Sequence, residues 1–139
     1  QGFCEGMAQA GLEPDPAIMA RGTYRFESGR AAGEHLLSAS EPPTAVFSSN
    51  DEMAAGLLHA AKARGLDVPK DLSIIGFDDT ATAAHIWPPL TTVRWPIRTM
   101  ASTAALKLIE PASAADLPAF FLSDLIRRAS AVRYPPDDR

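Results

Sequence analysis

Two polar side chains stand where they could grip a hydroxylated small molecule. The amide of Asn50 follows the apolar, β-prone run 44–49, and the carboxylate of Asp78 follows a second such run, 72–77. An amide both donates and accepts hydrogen bonds and a carboxylate only accepts, so the pair suits hydroxyl groups. Taken singly, an Asn or Asp after a strand is more often a turn former or helix cap. The pairing of the two carries the reading.

The elements that must position them are legible from periodicity. Between the two runs Met53, Leu57, Ala60 and Ala61 repeat at helical spacing. Ser49 and Glu52 stand in capping-box register, and Asp51 and Glu52 fall in the first turn, where the helix dipole favours negative charge. Gly65 stops the helix, with Pro69 beyond it. Two strands joined by a helical crossover are parallel neighbours, and the crossover is right-handed. Asn50 and Asp78 are therefore expected at one edge of an open parallel sheet, the edge at which such sheets bind ligands.

The 139 residues suffice for one core but are short for two full domains. A net charge of −4 with interspersed signs offers no basic patch for a phosphate backbone. The single cysteine, Cys4, has no internal disulfide partner and no ligand cluster, and reads as a small helix residue. No apolar run approaches the roughly 20 residues of a membrane span, and no secretory leader is seen, so the expected location is cytoplasmic with no membrane association.

Taken in order, Phe3, Met7 and Ala10 give a helical stripe ending near Gly11, and Pro14 and Pro16 mark a loop. Residues 17–20 read as a short strand leading to Tyr24, an aromatic expected at the same edge as Asn50 and Asp78. Ser28 reads as the cap of a helix through Ala32, Leu36 and Leu37, ended by Pro42 and Pro43. After Asp79, itself read as a cap or turn, residues 80–87 suit a short helical turn, and His85 a surface or interface position. Residues 90–95 alternate, with Val93 and Trp95 on one face and Thr92 and Arg94 on the other. Pro96 opens a helix whose stripe is Ile97, Met100, Ala101, Ala104 and Leu108. Residues 110–118 form a turn-rich linker, and 120–126 a last strand candidate.

Three blocks, PTAVFSSNDEMAAG, GLDVPKDLSIIGFDD and PPLTTVRWP, lie in order and register. Together they resemble the effector-binding region of LacI/GalR-type bacterial transcription regulators, over a stretch from about Gly2 to Arg128. The resemblance implies an α/β fold: an incomplete, doubly wound parallel-sheet lobe of the periplasmic-binding-protein-like kind. It divides the chain into a second lobe over 1–89, a crossing over 90–95, part of the first lobe over 96–116, a returning strand region over 117–134 and a disordered tail over 135–139. It implies ligand contacts from Tyr24, Asn50, Asp78, Trp95 and Ile97, with Tyr24 stacking on the ligand. The family's Arg-x-x-Gly-Phe pattern is represented by Gly2 and Phe3 alone, and Trp95 is bulkier than the polar residue expected there. On the same ground the chain is expected to be a fragment without the DNA-binding head, and a homodimer joined through Ala55, Leu58, His59, Ala84, Ile86 and Trp87. The stripe of 97–109 is expected either to fold back onto the remaining strands or to meet a second copy.

An enzyme finds little support in these residues. There is no Gly-x-Ser-x-Gly elbow, no phosphate-binding glycine loop and no Cys/His zinc spacing. Neighbouring Asp78 and Asp79 should diverge rather than form a dyad. The expected function is binding of a small-molecule effector, a sugar or related polyol, with no cofactor. DNA is reached only through a domain outside this sequence, and a transporter's solute-binding protein is the alternative.

Overall fold

A computed structural model describes residues 2–13, 15–111 and 116–133. The tail 135–139 lies outside the described residues, as do 112–115 of the linker. In chain order the elements are α1 (Gly2–Gln9), α2 (Phe26–Leu36), β1 (Ala45–Phe47), α3 (Asp51–Ala63), β2 (Ser73–Phe77), α4 (Ala81–His85), β3 (Thr91–Arg94), α5 (Ile97–Ile109) and β4 (Asp124–Ile126). The four strands form one sheet in the order β1-β2-β3-β4. The first three are parallel and β4 runs antiparallel to β3.

Register decides what faces what. Val46 lies opposite Ile74 and Gly76 opposite Thr92, and this face meets α3. The core there comprises Ile74, Leu72 and Leu90 with Ala54, Leu57, Leu58 and Ala61, and Val46 packs at its margin. One residue on, Phe47 turns to the other face, where the ring of Phe3 from α1 stacks on it at 6.4 Å. Helices thus lie against both faces, as a doubly wound sheet requires.

Helices α2 and α3 cross so closely that only glycine fits. A Cβ on Gly29 would lie 2.1 Å from the Met53 carbonyl oxygen, and one on Gly56 would lie 2.1 Å from that of Phe26. Helix α3 is capped by Asn50, whose Oδ1 accepts from Met53 N at 2.9 Å. The predicted Ser49–Glu52 capping box does not form. Glu52 instead reaches α2, its Oε1 accepting from Phe26 N at 3.3 Å. Ser28 is likewise not the cap of α2, which begins two residues earlier with Arg25 at its boundary. The Ser28 hydroxyl donates to Arg25 O at 2.7 Å and accepts from Thr23 N at 3.0 Å. Gly65 takes φ +75 where α3 stops, the left-handed geometry for which glycine pays no steric penalty.

Two expected strands differ. Residues 16–18 form a single 3-10 turn, and the chain is merely extended at Met19. A cavity of about 290 Å³ separates Met19 and Ala20 from Ala45–Phe47 of β1, so the extended segment has no ladder partner. At the other end only Asp124–Ile126 pairs, because β3 offers just Thr92, Val93 and Arg94 to β4. Phe120 and Leu122 stand in solvent. In α5 only Thr103 is buried, and Leu108 is 83% exposed. The stripe therefore does not fold back onto the sheet.

The glycine crossing predicts its own sensitivity. Gly56→Ala should destabilise the fold by about 1–3 kcal/mol, the usual cost of overpacking a filled interior. Gly6→Ala, where a Cβ meets nothing within 4 Å, should be neutral or slightly stabilising through helix propensity. Urea unfolding of the two variants checks the contrast.

Candidate functional site

Because β1, β2 and β3 are parallel, their carboxyl ends share one edge, and the residues leaving them meet there. Asn50 leaves β1, the pair Asp78–Asp79 leaves β2, and Trp95 leaves β3. Tyr24 joins them through its backbone, its carbonyl accepting from Asn50 Nδ2 at 3.1 Å. Its side chain is exposed and its φ is +61. It follows the loop after the 3-10 turn rather than a strand. Ile97 opens α5 beyond Trp95, also exposed. All five expected contacts are thus at or next to one edge.

Their bonding states differ. Asn50 spends its oxygen on the α3 cap and one N–H on Tyr24, so its structural duty is plain whatever else it does. The Trp95 ring meets Phe77 at 6.2 Å. Burial raises the Asp78 pKa above its ordinary value, the nearby Asp51 carboxylate raises it further, and the Trp95 side chain only partly offsets them. Asp78 is thus a half-buried carboxylate whose charge is under-compensated.

The two other carboxylates at this edge are turned inward, and sequence reasoning missed both roles. Asp51, read as a first-turn charge, is fully buried. Its Oδ2 accepts from Thr80 N at 2.7 Å and Thr80 Oγ1 at 3.1 Å, and its Oδ1 from Thr92 Oγ1 at 2.6 Å. Gly76 makes the room, since a Cβ there would lie 2.4 Å from Asp51 Oδ1. Asp79, read as a cap or turn, is an ion-pair centre whose side chain is 6% exposed. Arg94 Nε donates to Oδ2 at 2.6 Å and Arg128 Nη2 to Oδ1 at 2.6 Å. Burial alone would raise the Asp79 pKa, but the bonds and charges of Arg128 and Arg94 together hold it below the usual value. Arg128 is fixed in turn by donating to Leu90 O at 2.8 Å. As expected, Asp78 and Asp79 diverge.

The nominated interface residues lie on or beside α3 and α4. His59, Ala84 and Trp87 are exposed, Trp87 at 76%, while Ala55 and Ile86 are half-buried. Leu58 is a correction: at 5% exposure it belongs to the chain's own core, because its turn of α3 faces the sheet. Lys62 Nζ donates to the Trp87 carbonyl, tying the two segments. Among the described residues no cluster of His, Cys, Asp and Glu could hold a metal ion, and no helix is long and apolar enough to cross a membrane.

An open parallel sheet with polar groups gathered at its carboxyl edge is what a periplasmic binding protein-like domain presents, and the profile of that family matches residues 1–131. The chain belongs to this family, and its relatives place it with the effector-binding regions of the LacI/GalR type. The HTH-type transcriptional repressor CytR of Escherichia coli is 44% identical over 110 residues, covering 79% of this chain and 32% of that protein. A sugar-binding transcriptional regulator of the LacI family from Escherichia coli, solved with phosphate, superposes with a TM-score of 0.86 at 34% identity, over 94% of this chain and 48% of that one. The complex of the transcriptional regulator CelR with cellobiose gives 0.84 at 30% identity, over 94% and 41%. The chain thus spans about a third of the first curated relatives and under half of these solved chains.

The neighbouring aspartates should respond oppositely to pH. A raised folded-state pKa means that ionised Asp78 costs stability, a cost that sets in as pH rises through that pKa. Asp78→Asn should therefore raise the melting temperature at pH 7, a gain that fades as pH falls through the raised folded value and is gone below about pH 3.8. A lowered pKa means that Asp79 contributes stability fully above about pH 3.8 and loses it as pH falls through the folded value. Asp79→Asn should lower the melting temperature at pH 7, by less on acidification. Melts from pH 2.5 to 7 compare the two.

Proposed function

We propose that this chain is a small-molecule effector-binding and dimerisation region of a cytoplasmic LacI/GalR-type transcription regulator, acting by binding and not by catalysis. The observation that carries the reading is the split among the three edge carboxylates. Asp51 and Asp79 are saturated from within, whereas the half-buried Asp78 has its charge under-compensated. Such a group calls for a ligand rich in donors, and a sugar or polyol supplies hydroxyls for the carboxylate and C–H faces for aromatic rings. Asn50 can add its remaining N–H, Tyr24 an exposed ring and Ile97 an apolar wall. The cellobiose and sugar-binding neighbours support the same ligand class. The relatives named are regulators, and the divergence of Asp78 from Asp79 supports binding over acid–base chemistry. Contact with DNA belongs to a separate DNA-binding domain of the regulator.

On this reading residues 1–89 form one lobe, 90–95 and 117–134 are crossings, and 96–116 belong to the other lobe. The exposed stripe of α5 then has its natural cover in the remainder of that lobe. The homodimer face comprises Ala55, His59, Ala84, Ile86 and Trp87, and it is supported by an exposed tryptophan set among small residues on two tied segments.

A bound ligand raises the melting temperature by mass action. In melts against a panel of neutral sugars, polyols and nucleosides, at least one sugar or polyol should shift the transition. Asp78→Ala should weaken that ligand by about 1.5–3 kcal/mol, the worth of hydrogen bonds to a charged group. Affinity unchanged in Asp78→Ala would remove it from the site.

Self-association is checked separately by sedimentation equilibrium across a concentration series. The unmodified chain should gain mass with concentration, and Ala84→Arg with Trp87→Glu should remain monomeric with an unchanged melt. A monomer throughout would refute the dimer.

A further inference from the structure

We propose that Asp79, acting through Arg94 and Arg128, is the positioning residue of the ligand edge: it holds the Asp78–Trp95 pair in its binding pose. The proposal rests on reading Asp78 and Trp95 as ligand contacts, and it assigns a task to a buried ion network that the contacts themselves do not need. Asp78 and Asp79 have φ values of +108 and +54, two consecutive non-glycine residues in left-handed territory. Such backbone persists only where its surroundings over-determine it. Each restraint on this turn can be named. Asp78 N donates to Val93 O at 2.9 Å, Asp79 N to Thr92 Oγ1 at 3.4 Å, and Thr80 N to Asp51.

The Asp79 carboxylate supplies the charged part of that set. Each of its oxygens takes a different guanidinium. One comes from Arg94 on β3, one residue before Trp95, and the other from Arg128, beyond β4. The turn that aims Asp78 and the strand end that aims Trp95 are thus fastened to one buried group. Arg128 adds a second tie by donating its backbone N–H to Thr91 Oγ1 at 3.0 Å, which fixes the base of the same strand. If the carboxylate loses its charge, the turn can relax out of the left-handed region. Asp78 then moves relative to Trp95 even while the hydrophobic core stays intact, because that core lies on the α3 side of the sheet.

Trp95 reports on this directly and without ligand. With Trp87→Phe removing the other tryptophan, Asp79→Asn should shift Trp95 emission to the red. It should also shift the indole N–H proton resonance, while the melt stays cooperative. Asp79→Glu, which keeps the charge, should retain more of the native signal. A lowered melting temperature with both Trp95 signals unchanged would overturn the proposal and leave Asp79 a stabilising ion pair only. Should Asp79→Asn not fold, Arg94→Gln carries the test at a half-exposed position: a partial shift of the same signals supports the proposal, and none overturns it. Failure of the ligand reading is separable, since it appears as unchanged affinity in Asp78→Ala with the Trp95 response to Asp79→Asn still present.

Discussion

The carboxyl edge of the sheet is built on a carboxylate that no solvent reaches. Burying Asp51 is tolerable only because all its bonding is met internally, by the backbone N–H and hydroxyl of Thr80 and by the hydroxyl of Thr92. These bonds fix three things at once: the start of α3, the exit of the Asp78–Asp79 turn and the register position of Thr92 on β3. Gly76 is part of the same constraint, because any side chain there would occupy the volume of the carboxylate. A chain that satisfies Asp51 has already placed β2, β3 and α3 relative to one another.

That placement divides labour among three acidic groups within one edge. Asp51 is neutralised by hydroxyl and amide donors, Asp79 by two guanidinium groups, and Asp78 only in part, by the Trp95 side chain. Only the last arrangement leaves a carboxylate under-compensated. The opposite pKa directions of Asp78 and Asp79 follow from this difference in donors, since burial acts to raise both.

The strand–helix–strand unit and the shared edge of Asn50 and Asp78 were legible in the sequence because they depend on local periodicity and on the geometry of a crossover. The roles of Asp51 and Asp79 were not, because their partners are remote in sequence: Thr92 lies 41 residues from Asp51, and Arg128 lies 49 residues from Asp79. An acidic residue in a first helical turn looks the same whether the dipole or a buried hydroxyl satisfies it. Glu52 shows the same ambiguity, fitting a local capping box by spacing but reaching α2 in space. The strand predicted over 17–20 failed for a related reason. Extended backbone becomes a strand only beside a partner, and a cavity stands between this segment and β1.

If the edge binds an effector, the position of Trp95 carries a consequence for signalling. It ends β3, and Pro96 separates it from Ile97 at the start of α5, so a ligand touching Asp78, Trp95 and Ile97 spans the junction between the sheet and α5. A ligand shifts a conformational equilibrium only by binding one arrangement better than another. Contacts confined to Asn50 and Asp78 would be nearly indifferent to how α5 stands, whereas contacts that include Ile97 are not. The proposed role of the ion network would make that difference steeper. If Asp79 holds the Asp78 turn to the end of β3, the sheet side of the junction stays rigid, and movement of α5 would open or close the site instead of being absorbed by the turn.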